Sequence, residues 1–302
     1  MGEAAALASA LSWATAGVAV TSLSTRLPAA ALSALQMVVA SAALLVMLMV
    51  SNSAAEFSEA ETLTLLGVAG SAVVGLTLAD PTYVRALSIM GMQRTYPVTV
   101  GLFIVLTAAA GVLILDEKFT VGLLAGGVLI GLGCYLIVVP RGKQHPAEET
   151  SSPLVAPAAE PPQLHEHRFE GYVMLGLAPL LWATATVWLA SARGELSPIA
   201  ASALRMPVGA GLLMLFLLIV RPHALQRAAA NRRDLVMIAG AGLVGMAGGS
   251  LLYVYALMEA GAARAAVLSA SSPLFVIPLS MLFLNEILTR RILMGTAISV
   301  TG

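Results

Sequence analysis

The sequence predicts an all-α integral membrane protein whose ten transmembrane helices form two five-helix repeats of inverted topology. Three observations support this prediction: an apolar composition, apolar runs of membrane-spanning length, and a duplicated set of short motifs. Of the 302 residues, 59% are hydrophobic and 11% are charged, and the mean hydropathy is +0.90. Such a chain has too little polar surface to cover a water-soluble globule of this size.

Apolar runs of about 20 residues, the length that a helix needs to cross a bilayer, recur along almost the whole chain. Five of them precede the one long polar stretch, at 4–23, 29–50, 62–87, 94–114 and 119–139. Five more follow it, at 171–191, 197–220, 234–258, 264–284 and 290–302. The last run is shorter than its counterpart in the first half, so we expect the final helix to be truncated at Gly302.

The polar stretch divides the chain into a first repeat at 1–140, a linker at 141–169 and a second repeat at 170–302. The linker is rich in Pro, Glu and Ala, which is typical of a flexible, partly extended segment. It contains an H-x-H pair, His165 and His167. Without further ligands nearby, the pair indicates a solvated linker and not a metal site.

Short motifs of the first half recur in the same order about 170 residues later, which indicates an internal duplication. The matched blocks are WAT from Trp13 and Trp182, SALQMVV from Ser33 and SALRMPV from Ser202, YVRALSIMGMQR from Tyr83 and YVYALMEAGAAR from Tyr253, and LDEKFT from Leu115 and LNEILT from Leu284. Because five is an odd number of helices, the second repeat must enter the membrane from the opposite side. The halves are then related by a pseudo-two-fold axis in the membrane plane, an arrangement typical of transporters.

The chain resembles the ten-helix EamA-like branch of the drug/metabolite transporter superfamily over nearly its whole length, the linker excepted. The resemblance is carried by a Trp in the first helix of each half and by an Arg and a Glu that open and close each fourth helix, namely Trp13 and Trp182, Arg94 and Arg264, and Glu117 and Glu286. It implies a multi-pass protein that exports or exchanges a small metabolite across a bacterial inner membrane. It does not specify the metabolite.

Asp80 is a charged residue inside an apolar run, where an aspartate at mid-bilayer costs about 2.5–3.5 kcal/mol on insertion scales. Thr77 shares its helical face, and Pro81 withholds the hydrogen bond that the Thr77 carbonyl would accept, so we predict a local helix break here. A carboxylate at such a break can bind a cation, an amine or a proton. In the alternative interpretation, Asp80 pairs with an arginine such as Arg85 and only orients the helix.

Arg205 is the second charge within a run, and Gln36 is its equivalent in the first half. An arginine fork there could hold a substrate carboxylate or phosphate. Alternatively, the side chain extends to the membrane interface and keeps its head group in water.

Aromatic and hydroxyl side chains near prolines are further candidates for the walls of a cavity. They are Trp13 and Trp182 near the middle of their runs, Tyr96 beside Pro97, and Ser271 and Ser272 beside Pro273. Tyr83, Tyr253 and Tyr255 are weaker candidates for the wall, because tyrosines at helix ends are most often interface anchors. Arg94, Arg264, Glu117 and Glu286, together with the three prolines, are assigned gate or structural roles.

Basic residues are unevenly distributed between the predicted loops, and most lie on the side that includes the linker. The positive-inside rule would place that side in the cytoplasm and both termini outside, whereas the resemblance implies termini inside. The scattered charges, with a net charge of zero, give no support for nucleic-acid binding. No phosphate-binding, zinc, dinucleotide or nucleophile–base motif is present, so we expect neither a cofactor, a metal nor an enzyme.

The sequence as a whole favours a secondary transporter, an exporter or exchanger of a small metabolite such as an amino acid, working by alternating access around a central cavity. The expected partners are the substrate and the lipid bilayer, with a coupling proton and a second copy of the chain as candidates. The alternative is a non-transporting membrane scaffold or sensor. A transporter predicts a polar cavity between the repeats, and a scaffold predicts a dry, fully packed interface.

Overall fold

A computed structural model describes residues 1–114, 121–138, 163–261, 265, 268, 272–284 and 290–301. Within these residues the secondary structure is helical and contains no strand. The described helices of the first half are α1 Gly2–Ser24, α2 Ala29–Val50, α3 Glu56–Glu59, α4 Thr62–Ala72, α5 Ala79–Met90, α6 Met92–Ile114 and α7 Val121–Val138. A single 3-10 turn, Ser53–Ala55, precedes α3.

The described helices of the second half are α8 Gln163–Ala192, α9 Pro198–Val220, α10 Pro222–Ala229, α11 Arg232–Ala241, α12 Ser250–Ala260, α13 Ser272–Leu284 and α14 Arg290–Thr301. Helix α8 begins seven residues before the predicted repeat boundary at 170, so the end of the polar linker forms the first turns of this helix. Ser197 caps α9 by accepting a hydrogen bond from the Ala200 amide, with Pro198 at the first helical position.

Seven helical segments in the described part of the chain are long and apolar enough to cross a membrane: Gly2–Ser24, Ala29–Val50, Thr62–Met90, Met92–Gly111, Phe169–Ala192, Pro198–Val220 and Arg232–Ala260. Their outer surfaces carry large aliphatic side chains, such as Val46, Leu215 and Val236, each more than half exposed. Water would disfavour so much exposed apolar surface, whereas lipid tails would not. The protein is therefore a multi-pass membrane protein, and the full count of ten helices stays a prediction.

The predicted break at Asp80 and Pro81 is absent, and a wider helical segment precedes it instead. Residues Val73–Leu78 form a π-helix, and α5 then runs through Asp80 and Pro81 without interruption. The second half has a π-helix at the equivalent position, Gly242–Gly249, although no proline follows it. The expectation that Pro81 breaks the helix was therefore wrong, because α5 is continuous through this residue. The proline is also not needed for the π-helix, since the other repeat has a π-helix without a proline. π-Helical segments inside α-helices occur frequently at functional sites.

Both long helices end in the same way, at a glycine with positive φ. Gly91 follows α5 with φ +76°, and Gly261 follows α12 with φ +86°. Residues with a side chain rarely adopt this conformation, so glycine is favoured at both turns. The two glycines occupy equivalent positions in the repeated motifs IMGMQR and EAGAAR.

The helices of the two halves pack against each other reciprocally. Helix α1 packs on α12, α13 and the π-helix Gly242–Gly249, and helix α8 packs on α5, α6 and the π-helix Val73–Leu78. Helix α2 packs along α9. Each half thus presents its first helix to the third and fourth helices of the other half.

Two equivalent glycines permit close approach of the helices at these contacts. A Cβ atom added to Gly75 would lie 2.7 Å from Cβ of Ala185 on α8, and one added to Gly245 would lie 2.5 Å from Cβ of Ala16 on α1. Gly75 and Gly245 are repeat equivalents, as are Ala16 and Ala185. The small residues therefore bring the π-helix of each half against the first helix of the other.

A cavity between the halves as candidate functional site

A cavity of about 170 Å³ lies where the two halves meet. Every predicted span from the first to the fourth and from the sixth to the ninth contributes to its wall. The lining residues are Trp13, Ala16, Gly17, Val20, Gln36, Gly75, Leu76, Asp80, Tyr83, Val84, Tyr96, Val100, Phe103, Trp182, Ala185, Thr186, Arg205, Gly245, Met246, Ser250, Tyr253, Val254 and Ser272. Most of this wall is apolar, with a few polar groups, which is the usual composition of a small-molecule site.

Six aromatic rings form a continuous part of the wall. Starting from Tyr96, the order is Tyr96, Tyr83, Trp182, Phe103, Tyr253 and Trp13. Successive ring centroids are 5.0–6.5 Å apart, within the range of favourable aromatic contacts. The two predicted tryptophans thus belong to one surface, although they come from different halves.

The Asp80 side chain is buried at the cavity wall, 5% exposed, and its Oδ2 atom has no hydrogen-bond partner within the described residues. The indole of Trp182 lies beside the carboxyl group. That indole N–H donates to the Gly75 carbonyl at 3.1 Å, and this carbonyl belongs to the π-helix. The π-helix therefore holds Trp182 next to Asp80.

The alternative pairing of Asp80 with Arg85 is not found. Arg85 instead binds Glu170 through two hydrogen bonds, at 2.7 Å and 3.1 Å. Asp80 and Arg85 are five residues apart, so their side chains lie on different faces of the helix. Arg85 is directed towards α8. The cavity aspartate is left without a cationic partner among the described side chains.

The Arg205 guanidinium also faces the cavity, from α9. Its Nε atom is buried without a hydrogen-bond partner in the described part of the chain, and its Nη2 atom lies 3.4 Å from a Cβ position built on Gly75. Tyr253 is an electrostatic neighbour of the guanidinium. The alternative of an arginine extended to the membrane interface is therefore wrong, because the head group lies inside the protein.

The repeat equivalents of the two charged residues are neutral and line the same cavity. Gln36 corresponds to Arg205, and its side-chain amide donates to the Leu32 carbonyl at 3.2 Å. Ser250 corresponds to Asp80. The cavity thus has symmetric walls and an asymmetric charge distribution.

The remaining predicted residues fall into three groups. Tyr96 and Ser272 interact with each other at the cavity wall, whereas the buried Thr77 hydroxyl lies outside the lining and has no described partner. Pro81 and Pro97 lie within α5 and α6, and Arg94 is exposed near the start of α6. Ser271, Arg264, Glu117, Glu286 and the side chain of Pro273 lie outside the described residues.

Most lining residues were not among the predicted site residues, and four of them show what the sequence could have indicated. Phe103 lies seven residues after Tyr96, and Thr186 lies four residues after Trp182, so helical spacing alone could have placed both on the same faces. Tyr83 and Tyr253 were weaker candidates, because tyrosines at helix ends are most often interface anchors. The structure places both in the lining of the cavity.

Comparisons with known proteins agree with this fold. The chain aligns with a solved structure, described as a crystal structure of a protein, over 99% of this chain and 94% of that chain, with a TM-score of 0.68 and 16% identity. This similarity concerns the fold alone. No curated protein matches the sequence.

The sequence also matches a transporter family on both sides of the polar linker, at residues 1–139 and 169–302. The two matched segments include both π-helices and every residue that lines the cavity. The chain therefore belongs to the EamA-like transporter family of the drug/metabolite transporter superfamily, whose members are membrane transporters and not enzymes.

Proposed function

We propose that this protein is a secondary transporter that exports or exchanges a small zwitterionic metabolite such as an amino acid. One observation carries the proposal: Asp80 and Arg205 carry opposite charges, lack described partners for Oδ2 and Nε, and line the same cavity. Unpaired buried charges are costly and are retained at substrate and ion pathways. A ligand with an ammonium group and a carboxylate would compensate both.

The size of the cavity favours a small substrate. Its volume of about 170 Å³ is close to the ~150 Å³ of an engineered cavity that binds benzene, and below the ~300–1,000 Å³ of pockets for drug-sized ligands. The mostly apolar wall would suit an aliphatic or aromatic side chain. Trp13, Trp182, Tyr96 and Ser272 would contact this part of the substrate, with Gln36 as a further polar group. Thr77, whose hydroxyl lies outside the lining, and Ser271, outside the described residues, stay predictions.

Alternating access is supported by the reciprocal packing of the halves. Two five-helix repeats of inverted topology, 1–140 and 170–302, could exchange conformations, and the exchange would open the cavity to each side in turn. The matching π-helices and the matching glycine contacts agree with this symmetry. Pro81, Pro97, Pro273, Arg94, Arg264, Glu117 and Glu286 are assigned gate or structural roles.

A proton is the candidate coupling ion, with Asp80 as its site. The ionisable groups around the carboxyl group are Tyr83 on the same helix, Tyr96 on α6, and Arg205 and Tyr253 across the cavity. A bacterial inner membrane is the proposed location. The rival function, a scaffold or sensor, fits less well because it requires a fully packed interface without a cavity.

Flux measurements in proteoliposomes test this function. Purified protein reconstituted with an imposed pH gradient should accumulate a labelled amino acid without ATP, and Asp80→Asn should abolish the accumulation or its dependence on the gradient. Ser250→Asn places the same amide at the symmetric position and serves as the control, which should keep its dependence on the gradient. Full gradient-driven activity of Asp80→Asn would reject the proton role, and no flux in the wild type would favour a scaffold or sensor.

A further inference from the structure

The hydroxyl groups of Tyr83 and Tyr253 are buried at the cavity and have no hydrogen-bond partner among the described residues. The two tyrosines open the repeated motifs YVRA and YVYA, so they are equivalent by repeat symmetry. Leaving a buried polar group without a partner destabilises the folded protein. A matched pair of such hydroxyls at one cavity suggests that a ligand completes their hydrogen bonds.

The surroundings of Tyr83 suit a cation. Asp80 lies one helical turn before it on α5 and is its electrostatic neighbour. The Tyr83 ring also packs against Trp182 at a centroid distance of 5.0 Å. This site contains a carboxylate oxygen without a hydrogen-bond donor, a hydroxyl oxygen that can accept a hydrogen bond, and two aromatic rings. Together these groups fit an ammonium group, whose N–H bonds are donors.

The surroundings of Tyr253 suit an anion. The Arg205 guanidinium and the Thr186 side chain are the polar neighbours of its hydroxyl. The hydroxyl has no well-formed hydrogen bond to a described residue. The Arg205 Nε–H group also lacks an acceptor within the described residues. A guanidinium N–H and a phenol O–H, on residues that line one cavity, are donors from which a carboxylate can accept.

The two equivalent tyrosines therefore lie beside side chains of opposite charge in the two halves. Neutral Ser250 precedes Tyr253 where Asp80 precedes Tyr83, and neutral Gln36 takes the place that Arg205 has in the second half. If both charged residues were removed, the two tyrosine sites would be chemically similar. The charges make them different.

We propose that Tyr83 and Tyr253 are specificity-determining residues of two unlike subsites, in which Tyr83 with Asp80 binds the ammonium group and Tyr253 with Arg205 binds the carboxylate of one zwitterion. This inference rests on the proposed transport function. The ammonium donates to Asp80 Oδ2 and the Tyr83 hydroxyl, and the carboxylate accepts from Arg205 Nε and the Tyr253 hydroxyl. One ligand in one orientation then satisfies all four unpaired atoms.

Binding of three related probes to the purified full-length protein tests the assignment. The probes are leucine, 4-methylpentanoate, which lacks the amine, and 3-methylbutylamine, which lacks the carboxylate. Calorimetry on Tyr253→Phe should show about 10-fold weaker binding of leucine and 4-methylpentanoate and unchanged binding of 3-methylbutylamine. Tyr83→Phe should weaken leucine and 3-methylbutylamine by a similar factor and leave 4-methylpentanoate unchanged.

Tyr255→Phe is the matched control, because Tyr255 lines an outer surface groove and not the cavity. It should bind all three probes like the wild type. Unchanged leucine binding in both cavity variants would contradict the two subsites but not the transport function. Equal losses for all three probes would indicate a structural role of the tyrosines and would likewise contradict only the subsites. No wild-type binding of any probe would reject the amino-acid function and the subsites together.

Discussion

The Arg85 guanidinium joins the two halves by a double hydrogen bond to the Glu170 carboxylate, with Nε–Oε1 at 2.7 Å and Nη2–Oε2 at 3.1 Å. Arg85 belongs to α5 of the first half and Glu170 to α8 of the second. Arg85 is the arginine closest in sequence to Asp80. Because it binds Glu170, it does not pair with the Asp80 carboxylate in the cavity. A second ion pair, Arg26–Asp234 at 3.4 Å, also connects the halves.

Breaking the Arg85–Glu170 pair should destabilise the protein only slightly. The side chains are 43% and 35% exposed, so Arg85→Glu should cost up to about 1 kcal/mol, seen as a lower unfolding temperature. The exchange Arg85→Glu with Glu170→Arg should recover most of this loss. Arg94→Glu changes the same charge at an exposed site and is the control; an equal loss there would show that total charge, and not the pair, determines stability.

Removing the charge of Asp80 should stabilise the protein while it removes transport. The carboxylate lacks a described partner for Oδ2, so Asp80→Asn should raise the free energy of unfolding by about 1–3 kcal/mol. Thermal unfolding of the purified variant measures this change. Asp234→Asn, which loses the contact with Arg26, should instead be neutral or less stable. If Asp80→Asn lowered stability, the carboxylate would have a structural partner.

The two symmetric glycine contacts should not tolerate a methyl group. Gly75→Ala and Gly245→Ala place Cβ atoms 2.7 Å and 2.5 Å from alanine methyl groups, so each should cost about 1–3 kcal/mol of stability. Gly211→Ala is the matched control, because nothing lies within 4 Å of its added methyl group. It should be neutral or stabilising by up to ~1 kcal/mol. Similar unfolding temperatures for all three variants would contradict the close approach of the halves.

The start of α9 is held by a residue from the other half. The Glu56 carboxylate accepts a hydrogen bond from the Ser197 amide at 2.6 Å. Glu56→Ala should cost about 1 kcal/mol, because it leaves a helix N-terminal amide without its acceptor. Glu59→Ala on the same short helix removes an exposed carboxylate and should change the unfolding temperature little. Equal effects would show that this cap does not contribute.

Much of the fold could be predicted from the sequence because apolar length and duplication are strong signals. The run at 29–50 coincides with α2, and the repeat indicated that Asp80, Arg205, Trp13 and Trp182 deserved attention. The duplication carried this information because equivalent positions with different residues stand out against a shared pattern.

Three features could not be predicted, for physical reasons. No sequence feature common to both segments indicates the π-helices, since one precedes a proline and the other does not. We therefore attribute their stability to packing between the halves. The partner of Arg85 is 85 residues away, beyond the polar linker, and no periodicity links them. The direction of Tyr83 and Tyr253 depends on which helix face meets the other half.

Counterflow across proteoliposomes tests the central claim most directly, namely that one cavity between the halves opens alternately to each side. Vesicles loaded with an unlabelled amino acid are diluted into labelled amino acid, and uptake is compared with that of empty vesicles and of vesicles containing the Arg205→Gln variant. Alternating access predicts transient accumulation of label above equilibrium in loaded wild-type vesicles and a strong reduction in the variant. Uptake that does not depend on the internal amino acid would contradict alternating access.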